Sequence, residues 1–125
     1  MPHHRTAIAL DLLATPESVP EVRHHLRAHR YEVRLCATEL MTNVIDHLGD
    51  GTPVSVRVHV TGDGHTRVEV TDPDPRALPV LIHASLTDEC GRGLTIIGAL
   101  ALRWGVEQGD RGKTVWCELA AEGAP

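Results

Sequence analysis

Residues 53–61, PVSVRVHVT, alternate without a break: Val54, Val56, Val58 and Val60 share one side, while Ser55, Arg57 and His59 share the other. Successive side chains of a strand point to opposite faces, so this run is a strand with one apolar face and one solvated face. Gly62-Asp63-Gly64 follows as a hairpin turn signal, and residues 66–72, TRVEVTD, return as the partner strand. A chain with such a hairpin needs something to cover the apolar side of its sheet.

Helices supply the cover. Val33, Ala37, Leu40, Met41, Val44 and Leu48 recur at helical spacing and predict a helix over 31–48, ended by Gly49 and Gly51. Upstream, TAIALDLL at 6–13 reads as a strand with Ile8, Leu10 and Leu12 on one side. ATPESVPEV then opens a helix with Thr15 as N-cap, Pro16 at the first helical position and Val19, Val22 and Leu26 as its stripe; it should stop near His29. Residues 73–90 carry three prolines and no clear period. They predict a long loop with a short helical piece around 80–86, and a loop of that length in a small domain is often functional. GRGLTIIGALAL opens with glycines and becomes a helix, and RWGVEQ, a GDRG turn and KTVWCEL predict a final hairpin. This order predicts an α+β two-layer sandwich, with helices on one face of a mostly antiparallel mixed sheet. The 125 residues suit a single domain, 1–125, and its core must be aliphatic, because the chain has two Trp, one Tyr and no Phe.

A net charge of -5 gives no basic footprint, which argues against nucleic acid and against an anionic membrane surface as partners. The N-terminus lacks a signal-peptide layout and no apolar run reaches the length of a membrane span, so a cytoplasmic protein is expected. Cys36, Cys90 and Cys117 are scattered and form no Cys-x-x-Cys pair, which suits reduced thiols rather than a disulfide framework or zinc site. His25 and His29 stand four apart, but no third ligand accompanies them, so they read as a polar helix face. Cys90 reads as a small inert side chain, and Trp104 and Trp116, on adjacent predicted strands, read as sheet-packing residues.

Three stretches carry chemistry. In ELMTNVIDH, Glu39, Asn43 and His47 stand four apart and form a polar ladder on one helix face. Asp72 ends a strand and is followed by Pro73-Asp74-Pro75. Gly91-Arg92-Gly93-Leu94 begins a helix, where glycines let backbone N–H groups approach a ligand and the helix end favours negative charge. Taken singly, these are a solvated helix face, a turn and a loop-to-helix joint.

Taken together and in order, ELMTN, VEVTDPDP, CGRGLTII and GKTVW resemble the nucleotide-binding motifs of the GHKL ATPase and kinase superfamily, with its Bergerat ATP-binding fold. The likeness is greatest to the small anti-sigma factor serine/threonine kinases, whose first helix the stretch ATPESVPEVRHHLR also resembles. The resemblance implies ATP and Mg²⁺ as cofactors. It implies Glu39 as general base, Asn43 as the magnesium ligand, and His47 lining the phosphate or ribose region. It implies that Asp72 accepts a hydrogen bond from the adenine amino group, and that Gly91, Arg92, Gly93 and Leu94 close a lid over the phosphates. Thr114 matches the threonine near adenine and Asp72, and its neighbour Lys113 is assigned no contact. The implied partners are an anti-sigma factor antagonist, phosphorylated on serine or threonine, and a sigma factor, with a homodimer as the usual assembly. Magnesium prefers hard oxygen ligands and keeps several waters, so one asparagine plus phosphate oxygens is a sufficient set. The superfamily's Asp-x-Gly-x-Gly is replaced here by Asp72-Pro73-Asp74-Pro75, without either glycine. That departure supports an alternative: a catalytically inactive module that binds nucleotide or partner in transcription regulation.

Overall fold

The computed structural model of this chain describes residues 7–74 and 97–121. Apart from Pro73 and Asp74, the predicted loop, its helical piece and the Gly91–Leu94 segment lie outside those residues, as does Cys90. The elements in chain order are β1 (Ile8–Ala14), α1 (Ser18–His25), α2 (Tyr31–Leu48), β2 (Thr52–Val60), β3 (Thr66–Asp72), β4 (Arg103–Gln108) and β5 (Lys113–Leu119). A helical turn at 97–100 precedes β4.

The five strands lie in the order β1-β2-β3-β5-β4. Every pairing is antiparallel, so the described sheet contains none of the parallel pairing implied by a mixed sheet. The alternating valines set the register. Ile8, Leu10 and Leu12 stand opposite Val58, Val56 and Val54. Val58 and Val56 in turn face Val68 and Val70, which face Cys117 and Val115. One side of the sheet is therefore a continuous aliphatic floor. The β2–β3 hairpin closes through the Thr61 N–H donating to the His65 carbonyl at 2.8 Å. Gly64 sits at φ 86°, in the region that glycine adopts without strain.

Helix α2 crosses this floor, chiefly over β3, and buries Val33, Cys36, Ala37, Leu40, Met41 and Val44. Helix α1 packs beside it through Val22 and Leu26, both fully enclosed. Thr15 and Ser18 exchange bonds at the entrance to α1. The Ser18 N–H donates to Thr15 Oγ1 at 3.0 Å and the Thr15 N–H donates to Ser18 Oγ at 3.0 Å. This is capping-box geometry with serine in the second role, so Thr15 does cap, three residues ahead of the first regular helical residue. The far end of α1 falls short of His29. From Leu26 onward the bonds tighten to the three-residue pattern, Arg27 N–H to the His24 carbonyl and His29 N–H to the Leu26 carbonyl.

Trp104 and Trp116 do sit on neighbouring strands but on opposite faces, because Trp104 pairs with Cys117 and Trp116 with Gly105. Trp104 packs against the core. Trp116 lies on the outer face beneath the Arg67 guanidinium, 4.2 Å from its ring centre. His25 is exposed and His29 buried, and no group of three or more metal-ligating side chains occurs among the described residues. No described helix is long and apolar enough to cross a membrane.

Candidate nucleotide site

The site lies where α2 passes over the ends of β3 and β5. Helical spacing turns Leu40, Asn43, Val44, His47 and Leu48 down toward the sheet, and period-two alternation turns Val70, Asp72, Lys113 and Val115 up toward the helix. These nine residues line one narrow cavity of about 10 Å³. Asn43, His47 and Asp72 thus line the same cavity.

The helix side of the cavity is unsatisfied. Asn43 is 5% exposed and its Nδ2 has no hydrogen-bond partner. The His47 Nε2, also shielded from solvent, has none either. A buried donor without a partner costs on the order of 1–3 kcal/mol. Two of them on one wall of one cavity fit a surface shaped for a polar ligand. The terminal amide can present oxygen or nitrogen by a half-turn, so Asn43 can serve as an oxygen ligand to a cation. A single amide oxygen, with no carboxylate or imidazole cluster among the described residues, suits magnesium held mainly by phosphate and water.

Glu39 sits one turn before Asn43, half-buried, and is not among the residues lining the cavity. Burial, with a further push from the Asp46 carboxylate, raises its pKa above the ordinary carboxylate range. A carboxylate tuned upward is better matched to accepting a proton near neutral pH.

The sheet side of the cavity is fully paired. Asp72 and Lys113 are both 3% exposed. The Lys113 ammonium lies 2.8 Å from Asp72 Oδ2, donates to Asp72 Oδ1 at 3.0 Å, and donates to the Asp74 carbonyl at 3.0 Å. The Asp74 N–H closes a tight turn by donating to Asp72 Oδ1 at 2.8 Å. Where the superfamily pattern has glycines, this chain holds the strand end with an Asx-type turn and a lysine. Lys113, assigned no contact from the motifs, is therefore the direct partner of Asp72.

Thr114 lines a second cavity at this strand end together with Asp72, but its side chain faces the other way. Asp72 stands opposite Lys113 in the β3–β5 register, and Thr114 stands opposite Thr71. Alternation then puts Thr114 on the other face of the sheet from Asp72, where its hydroxyl meets that of Thr71 at 2.7 Å. The signal was present in the sequence: the glycine before Lys113 and the alternating Val115 and Cys117 put odd-numbered residues of this strand inward. Gly91, Arg92, Gly93 and Leu94 lie outside the described residues.

The family profile of the histidine kinase-like ATPase domain matches residues 12–119. An uncharacterised protein of Streptomyces coelicolor is 60% identical over 87 residues, covering 68% of this chain and 82% of its own length. Among solved structures, the RsbU and RsbW domains of Rv1364c from Mycobacterium tuberculosis superpose with a TM-score of 0.61 at 19% identity, over 92% of this chain and 33% of that one. The solved structure shares the fold, and the profile over most of this chain's length shows that the chain belongs to the histidine kinase-like ATPase domain family, the GHKL group that its motifs resemble.

Proposed function

We propose that this chain, as one domain, is a Mg·ATP-dependent serine/threonine kinase of the anti-sigma type, acting on a protein that antagonises an anti-sigma factor. The observation that carries this reading is the pair of partnerless polar nitrogens on Asn43 and His47, lining the same cavity as Asp72. Bound Mg·ATP would supply the phosphoryl group to be transferred. Asn43 would hold the cation through its amide oxygen, and His47, one turn on, would donate to or accept from the phosphate or ribose region. Asp72 would take the base on the opposite wall of the cavity. Glu39, with its raised pKa, would accept the proton of a serine or threonine hydroxyl presented from outside. Gly91, Arg92, Gly93 and Leu94 would cover the phosphates. A sigma factor as second partner, a homodimer and a cytoplasmic setting belong to the same reading.

Calorimetry of ATP with and without Mg²⁺ tests it directly. Binding should depend on Mg²⁺ and fall at least about tenfold in Asn43→Ala, the loss of roughly one charge-assisted contact. Glu39→Ala should bind ATP as the wild type does and transfer no phosphate. Normal transfer by Glu39→Ala would remove Glu39 from the chemistry.

A second reading is favoured by the Lys113–Asp72 pair, which occupies the carboxylate expected to hold the base. In that reading the domain is a partner-binding module. Partner capture that is indifferent to ATP, to Asn43→Ala and to Glu39→Ala is its signature.

A further inference from the structure

Lys113 is the single lysine among 125 residues that include 11 arginines, and it is buried at 3% exposure. Lysine is the side chain least often found in that position, because its ammonium is strongly hydrated. Here the ammonium donates to Asp72 Oδ1 and to the Asp74 carbonyl, and Asp72 Oδ2 lies 2.8 Å away. The pair forms the sheet wall of the cavity whose helix wall holds the partnerless Asn43 Nδ2 and His47 Nε2. The two walls thus differ in kind. One is polar and open for a ligand's oxygens. The other has already been filled by the protein's own cation, and the cavity between them has no room for a purine ring.

We propose that Lys113 is a built-in competitor for the sheet wall of this cavity, so that a nucleobase binds only by displacing the ammonium from Asp72. The inference rests on reading the cavity as a nucleotide site. Lys113 sets how tightly a nucleoside triphosphate binds relative to a bare polyphosphate. The polyphosphate needs only the Asn43–His47 wall and leaves the pair closed. The nucleoside triphosphate gains base contacts but must first open a buried ion pair, and opening such a pair is strongly unfavourable unless its partners are replaced.

The test compares ATP with inorganic tripolyphosphate, each with Mg²⁺, by calorimetry on the wild type and on Lys113→Thr. Removing the competitor should tighten ATP at least about tenfold while leaving tripolyphosphate within about twofold. Unchanged or weaker ATP binding in Lys113→Thr, or an equal change for both ligands, overturns the proposal while leaving the nucleotide reading in place. If neither ligand binds either protein, the nucleotide reading falls and the proposal with it.

Should Lys113→Thr fail to fold, the wild type provides its own assay. The amines open to an acetylating reagent are Lys113 and the N-terminal amine, and peptide mass spectrometry separates the two from each other and from any ester on Tyr31. Lys113 should label far more slowly than the N-terminus in the apo protein. Saturating Mg·ATP should change the rate at Lys113, and Mg·tripolyphosphate should not. A Lys113 rate that matches the N-terminus in the apo protein, or one that saturating ATP leaves unaltered, overturns the competition.

Discussion

At Glu39 one side chain serves two opposed requirements. Its burial and the nearby Asp46 raise its pKa, which favours proton acceptance near neutrality but places an uncomfortable charge on α2. The sign of the stability effect follows from linkage. Between its unfolded value, about 4.3, and the higher folded value, the native state holds more protons than the unfolded state, so stability falls as pH rises through that window. Glu39→Gln should therefore melt higher than the wild type at pH 7. The gain should vanish below about pH 3, where the side chain is protonated in both states. Thermal melts at the two pH values check this, independently of any phosphate transfer. Asn43 is different, since its cost is an absent partner rather than a charge. Asn43→Leu should raise stability while abolishing Mg²⁺-dependent binding, the pattern expected of a residue kept for a ligand and not for the fold.

At the scale of elements, two glycines show how closely the β4–β5 hairpin is fitted to its neighbours. A Cβ on Gly105 would lie 2.9 Å from the Trp116 ring carbon Cζ2 on the neighbouring strand. The indole is held in place under the Arg67 and Arg103 guanidiniums, so it can yield little. Gly105→Ala should cost about 1–3 kcal/mol by overpacking, read from chemical denaturation. Gly112 is tighter still. A Cβ there would collide with the Asp72 carbonyl oxygen, which is backbone and cannot rotate aside. Gly112→Ala should destabilise more than Gly105→Ala, and it should also disturb the Lys113–Asp72 pair beside it. The alternation that identified every described strand could have placed these residues. Counting inward positions from Val115 and Cys117 assigns Lys113 to the helix side and Thr114 to the solvent side. Motif matching instead put Thr114 near Asp72 and assigned Lys113 no contact.

Across the whole molecule, the outer face of the sheet is held by a charge network spanning three strands. Glu118 accepts from Arg103 Nε at 2.9 Å and from Arg67 Nη1 at 3.2 Å. Arg67 also donates to Glu69 at 2.7 Å and to Glu107 at 3.1 Å. The Arg103 hydrogen bond first, and then Arg67, hold the Glu118 carboxyl below its usual pKa. Its stabilising effect is thus complete above an unfolded value of about 4.3 and is lost as pH falls through the lower folded value. Glu118→Gln should cost about 1 kcal/mol at pH 7, discounted for the exposure of Arg103, and the difference from wild type should close at strongly acid pH. Arg30 makes a comparable tie at the other end, donating from α2's entrance to the Ala120 carbonyl at 2.9 Å. On the core side, the Cys36 and Cys117 thiols meet between α2 and β5. Their hydrogen bond, together with burial, holds Cys117 protonated well above the ordinary thiol range.

Periodicity alone determined the elements, their order and the two-layer architecture, because a strand or helix must bury one face and the spacing of apolar residues says which. Grouping Asn43, His47 and Asp72 took the order of the motifs and the family they resemble, because taken singly they read as a solvated helix face and a turn. Tertiary structure decided the partners. The Lys113–Asp72 pair joins residues 41 apart in the chain, and its existence depends on strand register and on the depth at which both charges are withdrawn from water. Neither quantity is written in a local pattern of residues, because both arise only when β3, β5 and α2 close over the same space.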